Sequence, residues 1–491
     1  MKLLLNRYNV KVYQSGLKFV LQVAAKNIFN CEVEFPHSLD KGLYTKLITP
    51  RKLTFDDIEA LKDEMKRIIE SDAKISKKVV AKNDAYNYYL KLNLKEKAGN
   101  INSVITETVV LYELLGTYNY FMTNMPESVG VLKHFNLTHL GNNDLILTFP
   151  LEESGEIPAY VHHEKIFKSI TDYDEWIGDL GVHYVDDLNK IIANNGVRDF
   201  IKKNDIIMEN SIFNLAEDVI ESNKKIILIG GPSSSGKTTT TRKLALYLET
   251  MGMNPIYIGL DDYFKDEDEK PIDENGEPDY EGLDAIDLEL FNSNLNDLLD
   301  GKEVNLPSYN FTLGLKEYKN RIIKLKEKDI ILIEGLHCLN EELTKHIPRD
   351  EKFKIYLSPF TPLSIDRHNH VSTIDVRLLR RFIRDSWARN YPPESTLKMW
   401  AKVREGETKH IFPHTGEADV VLNTAFIYEV GVLRVYGEPL LYSIPVESEY
   451  YNEARRLLDF LQKFFPIPSE YVDKDSVLRE FIGGSYFAER N

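Results

Sequence analysis

The sequence predicts an α/β protein, a parallel sheet flanked by helices, with an N-terminal α+β domain and a helical connector ahead of it. Three observations carry this prediction. The runs IILIG, NPIYIGL, IILIEGL, FKIYLS and ADVVLN recur between about 223 and 430, separated by helix-length segments, as parallel strands with crossovers require. Residues 156–222 read as helical and hold no comparable apolar run. The first 155 residues mix strand-like runs (KLLL, CEVEF, DLILTF) with helices, one of them opening at Thr54 with Asp57 placed to complete a capping pattern. At 491 residues the chain exceeds what a single core supports. We divide it into 1–155, 156–222, 223–430 and 431–491, the last as a C-terminal strand and helical cap.

Composition removes several function classes. A formal net charge of -16 argues against a broad nucleic-acid or membrane-binding surface and leaves only a local tRNA contact open. Cys31 and Cys338 lie far apart without paired spacing, so neither a disulfide framework nor a zinc site is expected, and a reducing cytoplasm fits. The opening MKLLLNRYNV is too short for a secretion signal, and no stretch approaches the roughly 20 apolar residues that span a bilayer.

The first chemical motif follows the first apolar strand. Gly231, four residues, then Gly236, Lys237 and Thr238 fulfil GxxxxGK(S/T) in the order strand, loop, helix. Glycines let successive N–H groups turn toward phosphate oxygens at a helix N-terminus. Lys237 adds a positive charge, Thr238 offers a hydroxyl to Mg2+, and Ser233, Ser234, Ser235 and Thr239 complete the nucleotide cradle. No NKxD run follows, which points to ATP.

Three later features suit phosphoryl transfer. Asp261 and Asp262 end the second apolar run, at the strand edge where open α/β sheets bind ligands; Asp261 is the candidate general base. Glu334 ends the third run, where an acidic residue would reach the magnesium shell through water. Arg377, Arg380, Arg381, Arg384 and Arg389 crowd one predicted helix. Such a helix could close over the transferred phosphoryl group, although alone it reads more often as a salt-bridged surface.

GPSSSGKT, LDDYF, DYEGLDAID, PSYNF, IEGL and DVRLLRRFIRD occur in the order of the uridine kinase and phosphoribulokinase family, which residues 223–430 resemble. The resemblance implies Asp261 as the catalytic Asp, Glu281 on the ribose hydroxyls, Tyr309 on the base, and Arg381, Arg384 and Arg389 as lid arginines. The chain departs from uridine kinases in carrying Glu281 for Asp, Gly314 for His and Tyr391 for a further lid Arg. A more distant resemblance links KISKKVVAKNDAYNYYLKLN and YELLGTYNYFMTNMPESVGVLKHFNLTHL to the second N-terminal domain of threonyl-tRNA synthetases. The segment YFMTNMPES lacks His and Cys, so no editing chemistry is expected. Asp366, His368 and His370 read as loop packing in preference to a metal site, and His162 with His163 calls for the same reading.

The sequence therefore predicts a kinase using ATP and Mg2+ on the hydroxyl of a small molecule, most simply a nucleoside such as uridine or cytidine. The alternatives are a kinase of a sugar phosphate or pantothenate, and an ATP-binding regulator linked to tRNA or translation. A homo-oligomer is compatible with the family resemblance.

Overall fold

The computed structural model describes residues 7–151, 155–272, 282–310, 313–361 and 363–487. The expected strand-like run KLLL and the candidate Glu281 lie outside the described residues. The chain divides into two compact units, one of residues 1–195, 361–373 and 459–465, the other of 196–360, 374–458 and 466–491.

In the first unit a long helix, Arg7–Phe29, precedes an antiparallel sheet ordered Glu32–Glu34, Gly42–Ile48, Asp144–Thr148, Asn136–Gly141, with Ser38–Leu39 pairing on Gly42–Ile48. Leu17, Val20, Leu21, Leu61, Met65, Leu145 and Leu147 share its core. The second helix, Phe55–Glu70, opens on the capping box of Thr54 and Asp57 that the sequence predicts. A three-stranded sheet, Ser76–Ala81, Thr108–Leu114 and Thr117–Asn119, carries helices Lys82–Lys91 and Lys95–Asn102 beside it. Lys97 Nζ donates to Asp366 Oδ1 at 2.7 Å, both side chains being wholly shielded from solvent. Asn369 and the His368 amide donate to the same carboxylate, and these bonds replace the water both charges have lost. His368 itself pairs with Asn119, and His370 with Ser38.

In the second unit α1 (Val197–Glu221) leads into β1 (Ile226–Gly230), α2 (Lys237–Thr250), β2 (Asn254–Gly259) and α3 (Leu288–Leu299). A hairpin of β3 (Val304–Asn310) and β4 (Leu315–Ile323) precedes β5 (Asp329–Gly335) and β6 (Lys352–Ser358). Helices α4 (Thr373–Ala388) and α5 (Pro393–His410) separate β6 from β7 (Val420–Asn423), and α6 (Glu429–Tyr442), α7 (Tyr451–Leu461, of which residues 451–458 belong to this unit) and α8 (Arg479–Ile482) follow.

The five apolar runs form one parallel sheet ordered β2-β5-β1-β6-β7. On one face Ile226, Leu228, Ile331 and Ile333 pack with Phe291, Leu295 and Leu298 of α3. The alternate residues Ile227, Ile229 and Leu332 are buried on the other face. Burial on both sides explains why these strands read as continuous apolar runs. β1 lies between strands that come later in the chain, so strand order reverses there and opens a crevice at the carboxyl edge.

The strand expected in 431–491 is absent among the described residues, which form helices and turns. Ala454, Leu457, Leu458 and Leu461 are buried at the three-to-four-residue spacing of a helix, not the two-residue spacing of a strand.

Candidate functional site

β1 ends at Gly230 and the chain turns through Gly231–Gly236 into α2. A Cβ at Gly231 would lie 2.3 Å from the Leu357 carbonyl oxygen of β6, so only glycine lets the loop pass this strand. Ser234 and Gly236 adopt positive φ, +60° and +86°, which curls the amides inward as an anion-binding concavity does. Lys237 Nζ folds back onto the carbonyls of Gly231 and Pro232 at 2.9 and 3.2 Å. Burial lowers the pKa of this ammonium, while Glu334, Glu480 and Asp261 oppose the shift.

Register fixes the acidic residues. Glu334 of β5 lies opposite Gly259 of β2 and Ile229 of β1, at the sheet's carboxyl edge. Its Oε1 accepts from Thr238 Oγ1 at 3.0 Å and from the Tyr257 hydroxyl, while its buried Oε2 has no hydrogen-bond partner. Burial raises its carboxyl pKa, and Tyr257, Lys237 and Thr238 oppose that. A hydroxyl and an orphaned carboxylate oxygen are hard donors that suit Mg2+, which usually takes few protein ligands and completes its shell with phosphate and water. No cluster of three or more His, Cys, Asp or Glu able to hold a metal occurs among the described residues.

Asp261 and Asp262 follow β2 in a single turn of 3-10 helix. Asp261 is exposed, yet the protein packed around it raises its pKa; Lys237 and Arg389 pull it down and Asp262 pushes it up. Asp262 Oδ1 accepts from the Tyr309 amide at 3.3 Å, which ties the hairpin to the same edge. Tyr309 is buried edge-on against Phe264. Its hydroxyl accepts from the buried Lys270 ammonium at 2.5 Å, and that ammonium also pairs with Glu267 at 3.1 Å.

The arginine-rich helix α4 splits in two. Arg377 and Arg380 are structural: buried Arg377 is bonded to Glu407 of α5, and buried Arg380 to Glu429 of α6 at 2.5 Å. Arg377 Nε also donates to the Ser233 carbonyl at 3.0 Å. Arg381 donates to Ser233 Oγ at 2.8 Å. Arg381, Arg384 and exposed Arg389 converge on the buried Asp385 carboxylate, at 3.2, 3.3 and 3.3 Å. Burial, then the neighbouring Arg389, lowers the Arg384 pKa, although a guanidinium remains charged regardless. These three therefore form one positive cluster anchored by a single carboxylate at the phosphate loop.

The sequence reading missed several residues at this edge. Glu407 accepts from the Ser233 amide at 3.0 Å. Glu480 of α8 accepts from the Thr239 amide at 3.1 Å, and Val477 lies where a Cβ on Gly236 would come within 2.4 Å. Tyr257 was legible in principle, because a polar side chain two residues before Gly259 shares the sheet face of Glu334. Glu407 and Glu480 have no local sequence signal.

The phosphoribulokinase / uridine kinase family profile matches residues 226–427. A uridine kinase of Staphylococcus haemolyticus is 30% identical over 202 residues, 41% of this chain and 88% of that protein. One from Anoxybacillus flavithermus is 28% identical over 202 residues, 40% of this chain and 86% of its own length. The phosphate loop, the carboxylates at the sheet edge and these matches agree: the chain belongs to the phosphoribulokinase / uridine kinase family and is a phosphotransferase acting on the hydroxyl of a small molecule.

Proposed function

We propose that the protein transfers the γ-phosphoryl group of ATP to the 5'-hydroxyl of a nucleoside, uridine or cytidine. The observation that carries this reading is the grouping at one sheet edge of Asp261, Lys237, the Thr238–Glu334 pair and, through Asp262, Tyr309. In this reading the amides of Ser233–Thr239 and Lys237 bind the phosphates, and Arg381, Arg384 and Arg389 offset the charge on the transferred group. Thr238 and Glu334 would hold Mg2+, which supplies charge neutralisation at the phosphate oxygens. Asp261 accepts the proton of the attacking hydroxyl. Tyr309 would face the base. Glu281 is assigned to the ribose hydroxyls from the sequence alone. No described helix is long and apolar enough to cross a membrane.

A second reading, a sugar phosphate or pantothenate as acceptor, has one observation in its favour. Gly314 stands at φ +67°, and a Cβ there would lie 2.9 Å from Glu267 Cβ, so the hairpin tip has no room for the imidazole of uridine kinases. Mg2+-dependent ADP release with uridine, cytidine, sugar phosphates and pantothenate, with Lys237→Ala as the blank, tests both. Stimulation by a pyrimidine nucleoside supports the first reading; stimulation by an acidic alcohol alone transfers the case to the second.

A further inference from the structure

The strand alternation that places Glu334 at the sheet edge also places a tyrosine beside it. Tyr257 lies opposite Leu332, and Gly259 opposite Glu334. Side chains two residues apart on a strand share a face, so Tyr257 is the diagonal neighbour of Glu334 across β2 and β5. Gly259, between them on that face, has no side chain to intervene; a Cβ there would sit 3.9 Å from the Tyr257 ring. The ring reaches forward, and its hydroxyl donates to Glu334 Oε1, the same oxygen that the Thr238 hydroxyl bonds at 3.0 Å. The second oxygen, Oε2, is buried and makes no hydrogen bond. Two donors on one oxygen and none on the other amount to an oriented carboxylate.

We propose that Tyr257 is a positioning residue for the metal site: its hydroxyl clamps Oε1 of Glu334 so that Oε2 is presented to the water shell of a nucleotide-bound divalent cation. A carboxylate on β5 held by Thr238 alone rotates about its terminal torsion, which is broad for glutamate. If Thr238 turns its hydroxyl toward the cation, Glu334 loses that anchor as the metal arrives. Tyr257, fixed by the strand, is the anchor that remains. The backbone under the ring is braced as well, since the Arg321 guanidinium donates to the Tyr257 carbonyl and lies 3.8 Å from Asp262. The tyrosine thus links the metal-side carboxylate to the strand that leads into the turn carrying the proposed base.

This inference rests on the ATP and Mg2+ reading above, and its test separates the two. Tyr257→Phe keeps the ring and removes only the hydroxyl. Binding of a non-hydrolysable ATP analogue is titrated in chelator and then across a Mg2+ series, for wild type and variant. A hydrogen bond to a charged group has a net value near the tenfold scale, so half-saturating Mg2+ should rise about five- to tenfold in the variant. Affinity for the metal-free analogue should stay within about twofold, which shows the cleft intact. Steady-state turnover should show the same Mg2+ shift with the acceptor KM unchanged. Half-saturating Mg2+ equal to that of wild type would overturn the proposal, as would an equal loss of metal-free affinity, the mark of a merely structural tyrosine. Failure of the wild type itself to bind the analogue would refute the ATP reading, and the proposal with it.

Discussion

Replacing Glu480 by glutamine should tighten nucleotide binding while weakening the empty protein. Glu480 accepts the Thr239 amide at 3.1 Å, in the first turn of α2, where the helix dipole favours an anion. Its charge also acts on Lys237 and Arg384, two groups assigned to phosphate. In the ATP reading a phosphate oxygen must take that amide, so the carboxylate is a competitor already in place. Glutamine retains an acceptor oxygen and loses the charge, so the difference is the electrostatic part, about 1 kcal/mol for an anion at a helix N-terminus. That corresponds to roughly fivefold tighter binding of a metal-free ATP analogue. Glu480→Ala, which frees the amide altogether, should gain more. Without ligand both variants lose a stabilising anion, so the melting temperature should fall. Isothermal titration gives the affinity and calorimetric scanning the stability. Opposite signs in the two measurements are the signature, and weaker nucleotide binding by Glu480→Gln would show that the carboxylate assists the nucleotide.

Asp261→Asn should lower kcat by about 10²- to 10⁴-fold, the usual contribution of a positioned base, with nucleotide affinity unchanged; normal turnover would remove Asp261 from that role. Because crowding raises the Asp261 pKa and the base acts deprotonated, the wild-type rate should fall as pH drops through a value above the ordinary carboxylate range. An acid limb at or below that range would contradict the reading. Lys97→Met should leave Asp366 buried without its cation and destabilise the first unit by about 3–5 kcal/mol, read as a shift in denaturant midpoint; a surface-like change would show that the carboxylate is relieved in another way. Burial pushes the Asp174 pKa up to about 7. The native state therefore holds this proton more tightly than the unfolded chain, and the resulting stabilisation is present at low pH and lost as pH rises from about 4 to about 7. Asp174→Asn should flatten stability across that window, and an unchanged slope would exclude this carboxyl as its source.

The parallel sheet is legible in the sequence because its strands are buried on both faces, so IILIG or FKIYLS announces itself without any partner in view. The phosphate loop is equally local, since Gly231, Gly236 and Lys237 act through backbone geometry set within a few residues. The division of labour among the arginines is not local. Arg377 and Arg381 stand four residues apart on α4, yet Glu407 of α5 makes the first a buried ion pair and Asp385 makes the second part of a cluster. Glu480 is the extreme case: it meets Thr239 from 241 residues away, and nothing in the run LREFI distinguishes it from a solvated glutamate. The missing C-terminal strand has the opposite cause, a local periodicity that is helical from the outset.

The excursion of residues 361–373 into the first unit bears on how this chain can be cut. The family match runs unbroken from 226 to 427, which invites excision of that stretch as an autonomous cassette. A fragment beginning near 223 would keep Asp366 and discard Lys97, its salt-bridge partner, along with Asn119, the partner of His368. The excised piece would carry a polar strap evolved for an interior it no longer possesses. Gene fusions, deletions or chimeras that treat the N-terminal residues as a detachable accessory therefore sever a reciprocal dependence. Lys97 and Asp366 have to be kept together or replaced together.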